Sequence, residues 1–216
     1  MPGSPKTQIQ TRRTLAYCRP KMVLTEGSTL LNPSQTDPEG NKRGFSIASA
    51  TQEETLMVAT RLRDTAFKRV LKAMPLETVV KIEGPFGNLM LHNNAKRTAV
   101  LLSGGIGITP FRSILFRAAK EKLPHRIFLF YSNRRPEDAP FLAELQALQK
   151  ENSNYKLVAT MNEMDKSHLP WHGETGLIDK EMLSGYLKNA VSPHILYCRA
   201  SRDGQGSPHD DQWDRS

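Results

Sequence analysis

Three glycines within four residues, followed by a threonine and a proline, form the stretch of this sequence best suited to chemistry. The stretch reads Gly104-Gly105-Ile106-Gly107-Ile108-Thr109-Pro110. Glycine allows a sharp turn and lets a ligand approach where a Cβ would intrude. Thr109 is suited to cap a helix and Pro110 to its first turn, where free N–H groups attract anions. The motif predicts a phosphate cradle, and the alternative is a tight strand-to-helix turn that binds no ligand.

The elements around this motif alternate between strand and helix patterns. The apolar run 99–102 is typical of a buried parallel strand, and further strands are expected over 126–131 and 155–160. Helices are expected after Thr109, from near Pro136 with a stripe over 141–148, and after Asp179 as a cap. This alternation predicts a doubly wound parallel sheet with a ligand at its carboxyl edge.

The first half of the chain predicts a small β-rich unit, an antiparallel barrel. Short strands are expected over 44–49 and 55–60, and a short helix over 66–71. An alternating strand over 79–83 is expected to stop at Gly84-Pro85-Phe86-Gly87. The predicted fold is therefore a β-barrel domain over 1–94, an α/β nucleotide-binding domain over 95–197 and a polar tail over 198–216.

Composition narrows the class of protein. Thirty Lys and Arg against 22 Asp and Glu give the 216 residues a net charge of +8, which suits anionic cofactors. No basic run with interleaved aromatics points to nucleic acid, and no apolar run approaches the ~20 residues of a membrane span. Two cysteines, Cys18 and Cys198, are too few for a zinc site or disulfide framework, so a cytoplasmic location is expected. His92, His168 and His172 are expected in surface loops, and no metal site is predicted.

Several motifs together resemble the ferredoxin–NADP reductase family of flavoproteins. Four occur in family order: Arg43-Gly44-Phe45-Ser46, Gly84-Pro85-Phe86-Gly87, the glycine motif at 104–110, and Tyr131-Ser132-Asn133-Arg134. Gly173-Glu174-Thr175-Gly176-Leu177-Ile178 resembles a further family landmark. The resemblance implies an FAD-binding barrel followed by a nicotinamide-nucleotide domain, with hydride transfer at their junction.

On the flavin side, the resemblance gives Arg43 the FAD pyrophosphate, which its planar fork suits. Phe45 stands where the family usually has Tyr and would stack on the flavin, and Ser46 would act as the catalytic hydroxyl near flavin N5. Lys68 would touch the FAD phosphates, and Gly84 and Gly87 are assigned to cofactor binding. The alternatives are a solvated turn for Arg43 and a solvated cation for Lys68.

On the nucleotide side, Gly104, Gly105 and Gly107 would meet the dinucleotide pyrophosphate. Thr109 and Pro110 would lie near the nicotinamide. The polar residues after the second strand, Ser132, Arg134 and Arg135, would lie at the adenosine ribose and slightly favour NADP over NAD. Alternatively, the two arginines face water beside Glu137 and Asp138.

The expected function is that of an FAD-dependent NAD(P)H oxidoreductase, passing electrons to an iron–sulfur or haem protein. The alternative is a non-catalytic or decayed flavin- or nucleotide-binding module. Two departures from the family pattern matter, and the tail after Tyr197 is the feature that separates the two functions. Residues 22–29 lack the usual Gly-Gln-aromatic element, and 198–216 lack the terminal Gly-Pro turn and helix.

One hypothesis for the tail is a shifted reading frame. Codons for residues 196–205 can be chosen so that a one-base shift encodes Tyr-Ile-Ala-Gly-Pro-Pro-Gly-Met-Val. That string resembles the missing family motif, and the DNA sequence of the locus tests the hypothesis.

Overall fold

The computed structural model describes residues 21–25, 42–76, 78–87 and 89–199, which form two sheets with flanking helices. The strands are β1 (Lys21–Thr25), β2 (Lys42–Ser46), β3 (Lys81–Phe86), β4 (Ala99–Gly104), β5 (Ile127–Asn133), β6 (Tyr155–Met161), β7 (Glu174–Thr175) and β8 (His194–Arg199). The α-helices are α1 (Ala66–Ala73), α2 (Thr109–Lys120), α3 (Leu142–Glu151) and α4 (Lys180–Leu187).

The smaller sheet is antiparallel and has the strand order β2-β1-β3. Its third strand runs through Gly84 and Pro85 to Phe86, because the pairing with β1 shifts register between Lys21 and Val23. The prediction that this strand stops at Gly84 is therefore wrong. A bulge carries the ladder past the Gly-Pro step.

The predicted strand over 55–60 is also wrong, because a single antiparallel bridge, Ile47 to Val58, is the pairing described there. The helix predicted over 66–71 is confirmed as α1, and Thr65 Oγ1 caps it by accepting from Lys68 N at 3.3 Å. Phe67 of this helix packs on Phe45 of β2 in a small apolar core. The core fixes α1 against β2.

The larger sheet is parallel throughout and has the strand order β7-β6-β5-β4-β8. Leu101 and Leu129 point to the face covered by α2 and α3. Val100 and Phe128 point to the opposite face, which α4 covers. Both faces of the central strands are apolar because both are covered, as the doubly wound prediction required.

Element boundaries differ from expectation at two helix starts. Thr109 is the first residue of α2 and not its cap, because a 3-10 turn over Gly105–Ile108 precedes the helix. Helix α3 begins at Leu142, and Pro136 starts a separate 3-10 turn. Asp179 does cap α4, where its Oδ1 accepts from Met182 N at 2.8 Å.

At the carboxyl end of the described chain, β8 pairs with β4 as far as Arg199. It therefore continues two residues beyond Tyr197, where the polar tail was expected to begin. The remainder of the tail, over 200–216, lies outside the described residues, as do the predictions that fall on 1–20 and 26–41.

Histidine placement corrects one expectation. His168 and His172 are exposed as expected. The His92 ring instead packs between those of His125 and His194, with centroids 5.2 Å away in each case. Burial, then the neighbouring His194 and His125, lowers the pKa of His92. Within the described ranges, no group of three metal-ligating side chains is placed to hold an ion.

No helix within these described ranges has both the length and the apolar character needed to cross a bilayer.

Arg112 of α2 links helix α3 to the segment that follows β2. Its side chain is 5% exposed, and it forms ion pairs with Glu53 at 2.9 Å and Glu144 at 2.7 Å. Burial by itself would raise the pKa of Glu53. Hydrogen bonds from Arg112 and from the Ala50 N–H outweigh burial and leave this pKa below its ordinary value.

This shift predicts a pH-dependent contribution of Glu53 to stability. A carboxyl with a depressed native pKa stabilises the fold above its unfolded-state pKa, and this contribution disappears as pH falls through the native pKa. The free energy of unfolding should therefore differ between wild type and Glu53→Gln at pH 7, and the difference should shrink below about pH 4.5. Urea unfolding between pH 7 and pH 3 measures it, with exposed Glu151→Gln as control. A difference that stays constant with pH would contradict the prediction.

Candidate functional site

The glycine loop lies between the carboxyl end of β4 and the start of α2. Gly104 ends the strand in an extended conformation, and Gly105 adopts a φ of +53°, which favours glycine. Gly105 and Gly107 are buried in the 3-10 turn. Pro110 lies in the first turn of α2, and Thr109 Oγ1 donates to Ile106 O at 3.2 Å. The predicted strand, glycine turn and helix are confirmed, with a 3-10 turn inserted between them.

Tyr131 holds this loop from the neighbouring strand. Its side chain is fully buried, and its single O–H proton is shared between Gly105 O at 3.2 Å and Pro140 O at 3.0 Å. Burial raises the pKa of Tyr131. The phenol therefore stays protonated and can serve as a donor throughout the neutral range.

Arg61 reaches the glycine loop from the segment that connects the small sheet to α1. A Cβ built on Gly105 would overlap the Arg61 guanidinium. The positive charge of Arg61 also contributes to the lowered pKa of Asp138, after the larger effect of its hydrogen bond from Arg135. The small-sheet unit therefore supplies a cation to the loop of the parallel-sheet unit.

The arginines after β5 have different surroundings. Arg135 Nε donates to Asp138 Oδ2 at 2.8 Å, and Arg135 Nη1 donates to Lys166 O at 3.3 Å. Arg134 is 3.8 Å from Asp138, and its side chain is 56% exposed. Of these two predicted ribose-side cations, Arg134 is therefore the more accessible to a ligand. Ser132 is aligned with Gly104 across the β4–β5 pair, so both lie at the carboxyl edge of the sheet.

The predicted flavin-side residues gather around β2 and α1. Lys68 Nζ lies 4.8 Å from the centroid of the Phe45 ring, and the Arg43 guanidinium lies 5.1 Å from that of Phe67. Burial, then the positive charges of Arg43 and Arg63, lowers the pKa of Lys68. Crowded like charges of this kind favour an anion.

Phe45 is 7% exposed and lies in the apolar core with Phe67, at a ring-centroid distance of 6.0 Å. Its predicted stacking on the flavin must therefore use the small exposed part of the ring, and it remains a prediction. Ser46 ends β2 and is half-buried. Gly84 and Gly87 flank the end of β3, with φ values of 146° and 92°.

The structure therefore gathers the predicted residues into two groups, one on each unit. Sequence reasoning missed the two residues that connect them, Arg61 and Arg112. Arg112 carried a signal, because it lies next to Phe111 in an otherwise apolar helix face and no acidic residue of α2 is placed to pair with it. Arg61 carried no signal beyond its charge.

Comparison with known proteins identifies the parallel-sheet unit. Residues 101–201 match the family model described as an oxidoreductase NAD-binding domain, which includes the glycine loop and the sheet edge. The chain is similar to proteins of the ferredoxin–NADP reductase-like group. The family resemblance inferred from its motifs is confirmed.

Two curated relatives illustrate the similarity in sequence. The chain is 28% identical over 190 residues to NADH-cytochrome b5 reductase 2 of Scheffersomyces stipitis, covering 87% of this chain and 59% of that protein. It is 23% identical over 166 residues to reductase component 1 of the terephthalate 1,2-dioxygenase of a Comamonas species, covering 76% of this chain and 48% of that protein. The chain thus spans only about half the length of these relatives.

Two solved structures illustrate the similarity in fold. A flavohemoglobin from Malassezia yamatoensis with bound FAD and heme aligns with a TM-score of 0.65 at 16% identity, covering 85% of this chain and 45% of that one. A ferredoxin NADP+ reductase from Neisseria gonorrhoeae with bound FAD and NADP aligns with a TM-score of 0.59 at 20% identity, covering 88% and 74%. At such identities the likeness concerns the fold, and it confirms the predicted fold class.

A matched pair of substitutions tests the glycine loop. Gly105→Ala places a side chain at positive φ and displaces Arg61, so it should destabilise the fold by about 1–2 kcal/mol. Gly104→Ala meets nothing within 4 Å and should have a much smaller effect. Urea unfolding measures both, and equal losses would contradict the assigned loop geometry.

Proposed function

We propose that this chain is an FAD-dependent NAD(P)H oxidoreductase that passes electrons to a one-electron acceptor such as an iron–sulfur or haem protein. The observation that supports this proposal most is the presence of two positively charged regions suited to bind anions, one on each of the two adjacent units. One region is formed by Arg43, Arg63 and Lys68, and the other by the glycine loop with Arg61.

The flavin-side residues fit the diphosphate of FAD. Burial first, and then the positive charges of Arg43 and Arg63, lower the pKa of Lys68, and a diphosphate between these cations would relieve their repulsion. Arg43 and Lys68 would hold the diphosphate. Ser46 would present its hydroxyl to the reactive edge of the flavin, with Gly84 and Gly87 leaving room for the cofactor beside β3. Bound FAD would supply the chemistry of accepting two electrons together and releasing them singly.

The parallel-sheet side fits the nicotinamide nucleotide. Gly104, Gly105 and Gly107 would let the backbone approach its pyrophosphate, and the start of α2 would offer N–H groups. Thr109 and Pro110, at that helix start, would border the nicotinamide. Ser132 and Arg134 would contact the adenosine ribose.

The choice between NADH and NADPH depends on the ribose-side cations. Because Asp138 holds Arg135, Arg134 is the cation that we assign to a ribose phosphate. The relative from Scheffersomyces stipitis is named as an NADH enzyme, and the structural neighbour from Neisseria gonorrhoeae as an NADP+ enzyme. Neither name favours the alternative of a binding module without turnover.

FAD binding tests the flavin side. Arg43→Ala should weaken FAD binding by about 1.5–3 kcal/mol, the worth of hydrogen bonds to a charged group. Titration of the cofactor-free protein, followed by flavin fluorescence, measures the dissociation constant. Lys72→Ala removes an exposed cation from the same unit and serves as control. Failure of the wild-type protein to bind FAD would overturn the proposal.

Nucleotide binding tests the other side. Arg61→Ala should weaken NADH and NADPH binding alike, because the glycine loop would hold the pyrophosphate common to both. Arg134→Ala should weaken NADPH more than NADH, by about tenfold or more for a lost charge-assisted contact. Calorimetry with the oxidised nucleotides measures both. Equal losses for Arg134→Ala would discard the NADP preference and leave the pyrophosphate assignment standing.

A further inference from the structure

The Arg112 guanidinium uses all of its N–H groups. A guanidinium carries five N–H donors in a rigid plane. Arg112 Nε donates to Glu144 Oε2 at 3.0 Å, and Nη2 donates to the same oxygen at 2.7 Å and to Glu53 Oε1 at 3.1 Å. Nη1 donates to Ala48 O and to Glu53 Oε2, each at 2.9 Å. The orientation of the plane is therefore fully determined by its partners.

Two aromatic rings pack on the same guanidinium. Its central carbon lies 4.3 Å from the centroid of Phe116 and 5.2 Å from that of Phe141. Phe141 adopts a φ of 61°, an uncommon conformation for a bulky side chain. Its ring thus reaches Arg112 from a strained backbone position, which tertiary packing must maintain.

The partners of Arg112 belong to different units. Glu144 lies on α3, so its contact with α2 stays within the parallel-sheet unit. Ala48 and Glu53 belong to the segment that follows β2, so their contacts cross between the units. A further hydrogen bond between the units is donated by Gln52 Nε2 to Phe116 O at 3.1 Å.

The contact between Arg112 and the segment after β2 lies beside a proposed cofactor site on each side. Ala48 is two residues after Ser46, and Arg112 lies within one helical turn of Thr109 and the glycine loop. We propose that Arg112 is a positioning residue that fixes the segment after Ser46 relative to the glycine loop. It thereby sets the relative placement of the flavin and nicotinamide sites. The second part of this inference rests on the proposed function, whereas the first concerns the chain alone.

Two isosteric substitutions, Glu53→Gln and Glu144→Gln, distinguish the contact of Arg112 between the units from its contact within the parallel-sheet unit. Glu53 accepts from Arg112 with both carboxylate oxygens, so an amide at this position cannot serve both donors. Glu144 accepts with one oxygen, which a glutamine retains. Glu53→Gln should therefore loosen the junction, and Glu144→Gln should leave it nearly intact. Arg112→Lys keeps the charge and removes the planar fork, so it should behave like Glu53→Gln.

The first measurement needs no cofactor. Spin labels at Lys72→Cys on α1 and Ala147→Cys on α3, both exposed, report the distance between the units once Cys18 and Cys198 are replaced by serine. We expect a narrow distance distribution in the parent protein and after Glu144→Gln, and a broadened or shifted one after Glu53→Gln and Arg112→Lys. Lys120→Met removes an exposed cation from the same helix, and its distance distribution should match that of the parent protein.

The second measurement uses the FAD-loaded protein. Displacing the reacting groups by about 1 Å can slow a reaction about 100-fold, so Glu53→Gln and Arg112→Lys should slow flavin reduction by NAD(P)H about 10- to 100-fold. The dissociation constants for FAD and for the oxidised nucleotide should stay within about threefold, because neither substitution touches a proposed binding group.

The outcomes distinguish this inference from the proposed function. An unchanged distance distribution after Glu53→Gln, or an equal change after Glu144→Gln, would overturn the positioning role whether or not the protein binds FAD. A broadened distribution with an unchanged rate of flavin reduction would overturn its second part. Absence of FAD binding in wild type would overturn the proposed function and leave the distance measurement standing. If Arg112→Lys fails to fold, the two glutamine variants decide alone.

Discussion

Burial of a positive charge at the junction of the two sheets is the constraint on which this structure depends. Arg112 is almost wholly removed from water, and an unpaired charge there would cost several kcal/mol. Glu144 is available within the same unit, but it uses only one oxygen and leaves several N–H donors unsatisfied. The segment from Ala48 to Glu53 supplies the remaining acceptors, so the two units must meet in one orientation to complete the set.

The glycine loop is likewise held by contacts from neighbouring elements. The Gly105 carbonyl accepts a hydrogen bond from the buried Tyr131 hydroxyl on the adjacent strand, which ties the 3-10 turn to β5. The side of Gly105 that lacks a Cβ is covered by Arg61, which arrives from the other unit. A glycine at positive φ therefore lies against the Arg61 guanidinium, and a glycine turn beside a positive charge is suited to bind an anionic ligand.

Charge distribution also separates the two edges of the parallel sheet. At the carboxyl edge lie the glycine loop, Arg61 and the arginines after β5, with acidic residues that hold Arg135 in place. At the opposite edge, His92 packs with His125 and His194, and burial favours its neutral form. The positive groups capable of meeting a nucleotide are therefore concentrated where parallel strands place their loops.

The sequence alone determined the fold class and the order of strands and helices around the glycine loop, but not every element of the small sheet. Glycine spacing and uninterrupted apolar runs identify a strand, turn and helix with a covered parallel sheet, because those signals are local. It also identified Arg43, Lys68 and Arg134 as candidates, although none is yet tested. Only the tertiary structure decided the roles of Arg61 and Arg112, because their partners lie far away in sequence: Ala48 is 64 residues from Arg112. The apolar periodicity of a sequence predicts which face of a helix is buried. The packing of the two units determines which acceptor lies beside a buried cation.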